Sequence, residues 1–93
     1  MKSVKAQLVS LSDEINGGDR GNPRKPEYKE LVAECYAVAK QVVAESRYAD
    51  SPHADTLAGE LGDAARSGLV RDIMIIDLDL TYTHSQIRNR EAK

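Results

Sequence analysis

The sequence predicts an all-α fold, a small antiparallel bundle of about four helices with short connections. Three observations carry that prediction. Apolar residues recur at spacings of three and four over most of the chain. Breaks rich in glycine, asparagine and proline divide the pattern into four segments. Marked two-residue alternation, the signature of a half-buried strand, is centred on one stretch, 72–83, so the alternative is an α+β fold with that stretch as a strand. With 93 residues the chain is expected to form a single helical domain, 1–93, because two cores in this length would each be too thin to hold. Phe and Trp are absent, so the core must be built from Leu, Ile, Val, Ala and Tyr.

In the first element Val4, Leu8, Leu11 and Ile15 fall on one helical face, and Ser3 is placed to cap its start. Asn16-Gly17-Gly18 ends it, and Asp19 to Pro26 forms the one long loop. An edge strand over Gln7 to Ser12 is the competing reading of this segment. Pro26 at a first-turn position, followed by Glu27 and Glu30 at the positive end of the helix dipole, opens the second helix, which should run to about Tyr48. Its two stripes, Tyr28, Leu31, Cys35, Val38, Val42 and Val32, Tyr36, Ala39, Val43, make an apolar arc wide enough to touch two neighbours. The lone Cys35 reads as a small buried hydrophobe, which fits a reducing compartment.

Ser51-Pro52 repeats the start signal for a third helix, with Leu57, Leu61 and Ala64 facing inward and Gly68 as its stop. The fourth segment, Leu69 to Arg90, decides the fold class. As a helix it carries Leu69, Ile73, Ile76, Leu80 and Ile87 in one arc and Val70, Met74, Leu78 and Tyr82 on the opposite side, so both sides should be buried. As a strand, Ile76, Leu78, Leu80 and Tyr82 alternate with Asp77, Asp79, Thr81 and Thr83, and the strand would need Gln7 to Ser12 or a second copy as its partner. The helix is the better match to the rest of the chain.

Thirteen basic against fifteen acidic residues leave a net charge of −2, which lacks the positive field that nucleic acid or an anionic membrane surface requires. Neither a membrane-spanning stretch nor a signal-peptide core is visible, and a cytoplasmic location is expected. A chain this short gains stability by associating with itself, so a homo-oligomer is expected as well.

Two short motifs resemble known families. Ile75-Ile76-Asp77-Leu78-Asp79-Leu80-Thr81 resembles the first motif of the haloacid dehalogenase superfamily, an apolar strand leading into Asp-x-Asp-x-Thr. The resemblance implies a nucleophilic first aspartate, an acid/base second one and a magnesium ion over a phosphate. Leu80 takes the place of the usual Gly, however, and only fourteen of the 93 residues follow Asp79, too few for the remaining catalytic groups. Leu57-Ala58-Gly59-Glu60-Leu61-Gly62 resembles the first helix and turn of a helix-turn-helix DNA reader, but Asp63 and Gly68 stand where that motif wants apolar residues. From Glu45 to Asp79 eight acidic residues face three basic ones, a net −5 that would repel DNA. No catalytic residue, cofactor or metal ligand set is expected, and His53 and His84 read as surface or structural histidines.

Positive charge is nevertheless organised. Arg20, Arg24, Lys25 and Lys29 surround the long loop, with Tyr28 beside them, while Arg88 and Arg90 lie near the C-terminus with Lys93. Brought together by the fold or an oligomer, they would form a cationic pocket with an aromatic ring for stacking, the chemistry of nucleotide or phosphate recognition. Two functions are thus expected. The first is a small acidic helical protein that binds a macromolecular protein partner as adaptor, regulator or inhibitor, including the phage-type inhibitor of host machinery. The second is a binder of a nucleotide or other phosphorylated small ligand through these basic residues.

Overall fold

The computed structural model of the protein describes residues 3–17 and 22–92. Among them are four α-helices and no strand: α1 Val4–Gly17, α2 Glu27–Ala44, α3 Ala54–Arg66 and α4 Ile73–Glu91. The all-α reading holds, and the strand alternative over 72–83 is excluded.

A side chain caps the start of α1 and of α4, whereas α2 and α3 begin without a side-chain cap hydrogen bond. Ser3 Oγ accepts the Ala6 N–H at 3.1 Å, and Leu8 and Ile15 carry the buried face of α1. Pro26 precedes α2, with Glu27 and Glu30 in its first turn, and the helix buries Leu31, Cys35, Ala39, Val42 and Val43. It ends at Ala44, short of the Tyr48 that periodicity predicts. Ser46 is the cause: its hydroxyl donates to the Val43 carbonyl at 2.7 Å and accepts the Tyr48 N–H at 3.1 Å, so one side chain takes up a terminal acceptor and the next donor. Ser51 acts similarly before α3, accepting the His53 N–H at 3.1 Å.

Gly68 stops α3 as expected. It adopts φ 77°, Leu69 N–H reaches back to the Ala64 carbonyl at 2.9 Å, and Gly68 N–H reaches that of Ala65 at 3.1 Å, the paired bonds of a Schellman turn. The left-handed turn redirects the chain, so the expected start of α4 at Leu69 is not realised. Val70 is fully buried and Leu69 is 60% exposed, so the expectation that both are covered holds for Val70 and fails for Leu69. The fourth helix begins instead at Ile73, where the Asp72 carboxylate accepts the Ile75 N–H at 2.9 Å.

The first three helices form an up-down-up layer. Ser3, Val4 and Lys5 share a recess with Val42 and Glu45, which sets the start of α1 beside the end of α2. Lys40, Val43 and Ala44 share another with Ala54 and Ala58, so α3 starts beside that same end. At the opposite end the Asn16 amide donates to the Arg66 carbonyl. Tyr36 lies flat against Gly62 in the α2–α3 seam, where any side chain would collide with its ring, and its hydroxyl donates to the Asp63 carboxylate. The last helix crosses α1 and returns over α3, burying Ile76, Leu80 and Ile87, with Lys5 paired to Asp77 and Arg90 to Glu60. No helix among the described residues is long and apolar enough to cross a membrane.

Candidate functional site

The residues expected to form a cationic pocket are not gathered within one chain. Arg24, Lys25, Tyr28 and Lys29 stand around the start of α2, and Tyr28 is packed against the core. Arg20 lies outside the described residues. Arg88 and Arg90 sit on the last turns of α4, which the Arg90–Glu60 ion pair and the contact of the Glu91 carboxylate with His53 fasten beside α3 and its start. That region adjoins the end of α2, whose 18 residues span roughly 27 Å from the other cluster.

The motif resemblances dissolve for geometric reasons. On a helix Asp77 and Asp79 project about 200° apart, so their carboxylates do not converge as they would at a strand end. Asp77 pairs with Lys5, while burial raises the pKa of Asp79 above the ordinary carboxylate value. The segment 57–62 lies wholly inside α3, and Gly62 serves helix packing rather than a turn.

Two arrangements do emerge. The first joins the α2–α3 connection to α4. Ser51 Oγ and His84 Nε2 are 2.7 Å apart, Tyr48 stacks on the His84 ring at 4.4 Å between centroids, and the His53 ring meets it edge-on at 5.7 Å. The Glu91 carboxylate lies against His53 Nδ1, without the alignment of a directed hydrogen bond. Arg47 donates to the Tyr48 hydroxyl at 2.8 Å, and Thr81 lies 3.2 Å from the same oxygen. Burial lowers the pKa of His84, and the neighbouring His53, Arg88 and Arg47 lower it further, keeping the ring neutral at physiological pH. The cluster ties α4 to the three-helix layer. The sequence reading treats the two histidines singly; the available signal was that His84 and Glu91, seven apart, share one face of α4 toward the Tyr48–His53 loop. No group of three His, Cys, Asp or Glu side chains among the described residues could hold a metal ion.

The second arrangement is the outer face of α4. Met74, Leu78 and Tyr82, one turn apart in succession, are 75%, 68% and 67% exposed. Here the expectation that both sides of the segment are buried meets only half its fulfilment, because the layer beneath can cover one side of a helix lying across it. Beside Met74 the stripe opens into a groove of about 510 Å³ lined by Ala6, Val9 and Ser10 of α1 and by Arg71, Asp72 and Ile73. Its walls are mainly aliphatic. Individually exposed hydrophobes are ordinary on protein surfaces; here three are aligned one turn apart beside a mainly aliphatic depression.

No known protein family, curated protein or solved structure matches the chain. The functional reading therefore rests on these two arrangements.

Proposed function

We propose that this protein is a non-catalytic interaction module that receives an apolar helix of a protein partner along the outer face of α4, acting as an adaptor, regulator or inhibitor. The observation that carries the reading is the Met74–Leu78–Tyr82 stripe with its adjoining groove. A partner helix laid along it would set residues at i, i+4 and i+7 against the stripe and one side chain into the groove. The enclosed Cys35 suits a reducing, cytoplasmic setting, and action against host machinery in the manner of a phage inhibitor is one form such a module takes.

The phosphorylated-ligand reading has less behind it, because one chain keeps its two basic clusters apart. A photo-reactive phenylalanine analogue at position 78, irradiated in cells, tests the first reading. A covalent adduct mapping to an apolar helical segment is expected, and it should vanish when Tyr82→Ala and Met74→Ala are added. Adducts no more abundant than those from position 37 on exposed α2 would sink the proposal.

A further inference from the structure

We infer that the junction of α1, α4 and the connection after α2 is a binding site for a small phosphate monoester, held between Lys5 and Arg47. Neither residue belongs to the basic clusters at the start of α2 and the end of α4. Neither lies on the exposed apolar stripe, so the site stands independently of the interaction face. Its basis is a polar cleft of about 380 Å³ lined by Lys5 of α1, by Arg47 and Tyr48 of the connection, and by Asp77 and Thr81 of α4. That volume lies within the range of small-ligand sites.

The cations are set in place before any ligand arrives. Arg47 donates through Nη2 to the Tyr48 hydroxyl at 2.8 Å, and its guanidinium carbon stands 5.0 Å from the centre of the Tyr48 ring. Tyr48 in turn donates to the Thr81 hydroxyl at 3.2 Å and Thr81 to the Asp77 carbonyl at 3.2 Å, a relay that fastens the guanidinium to α4. One turn back on the same helix, the Asp77 carboxylate holds the Lys5 ammonium. The two anchor points are about 6 Å apart along α4, a gap that one phosphoryl group spans with a hydrogen bond of about 2.8 Å on each side. Among the described residues Arg47 keeps its Nη1 and Nε protons for a ligand, and Lys5 donates to Asp77 alone.

Charge decides the class of ligand. The Ser46, Tyr48 and Thr81 hydroxyls already donate within the protein, so recognition falls to the two cations. Lys5 and Arg47 against Asp77 leave one net positive charge, and the first turn of α1, which carries Lys5, adds about +0.5 from the helix dipole. A phosphate monoester brings roughly −1.5 to −2 at neutral pH and meets that field, whereas a carboxylate brings a single charge. Asp77 competes with the ligand for Lys5, so the expected dissociation constant is modest, ~0.1–1 mM.

Titration of the isotope-labelled protein with glycerol phosphate, and separately with acetate, at constant ionic strength and followed by NMR, tests the site. Glycerol phosphate should bind the more tightly and move the amide signals of residues 5, 46–48 and 77–81. Lys5→Gln and Arg47→Gln should each weaken it about tenfold. Asp77→Asn should tighten it by freeing Lys5, and Lys40→Gln, beside a different recess, should leave it unchanged. Signal changes centred on residues 24–29 or 88–90, acetate binding as tightly as the ester, affinity indifferent to both Lys5 and Arg47, or binding weakened by Asp77→Asn would each overturn the inference. The first two outcomes are read on the unaltered chain and hold even where a substitution prevents folding. Vesicles containing phosphatidic acid present the same monoester on a lipid; co-sedimentation with them, without any response to glycerol phosphate, would overturn the assignment to a small ligand. Cross-linking from position 78 bears on the interaction face alone, so either proposal can fail without the other.

Discussion

Gly62 shows how one missing side chain can hold a seam together. In sequence it stands in a run that resembles a helix-turn-helix, because glycine at such a spacing usually permits a turn. The structure uses it inside α3, where the absent Cβ admits the Tyr36 ring and aligns the Tyr36 hydroxyl with Asp63. That hydrogen bond, followed by burial, raises the Tyr36 pKa. Gly62→Ala removes a helix-weakening glycine but forces the ring out of its seat. The collision should outweigh the propensity gain, lowering stability by about 1–3 kcal/mol in urea unfolding. Nothing in the local pattern distinguishes a packing glycine from a turn glycine; the difference lies 26 residues upstream, in Tyr36.

At the level of elements, the helices were legible and their ends less so. Periodicity placed the buried faces of α1, α2 and α3 because a 3.6-residue repeat survives whatever it packs against. The boundaries depended on single polar groups. Ser46 ended α2 early, and Asp72 delayed α4 after the Gly68 turn had sent Val70 into the core. Asp72→Ala should therefore cost about 1 kcal/mol and fray the first turn of α4, visible as faster amide exchange at Ile73 to Ile75. The outer face of α4 was legible as apolar. That it would stay open was not, since the sequence counts apolar faces and cannot say how many neighbours a helix acquires.

For the whole molecule, the Tyr48–His84 cluster couples the attachment of α4 to pH. An unfolded chain protonates this histidine near the ordinary value of about 6.5. The folded chain holds the proton off to lower pH, since the charged ring would be partly desolvated and set against His53, Arg88 and Arg47. Stability from neutral His84 is thus complete above that ordinary value and lost as pH falls through the lowered folded one. The melting temperature should drop between pH 7 and pH 5, and His84→Gln should flatten that portion of the curve. An unchanged slope in the variant would show that other groups govern the response. The sequence concealed this cluster because its members come from two segments that only the return of α4 over α3 brings together.

Cys35, fully enclosed and facing the core from the middle of α2, has a thiol pKa raised by burial and then by Glu34. A thiol reagent reaches it only while α2 is lifted from its neighbours. With reagent concentrated enough to trap every opening, the rate at which the native protein is alkylated counts openings per unit time; with a slower reagent it measures the fraction of chains open.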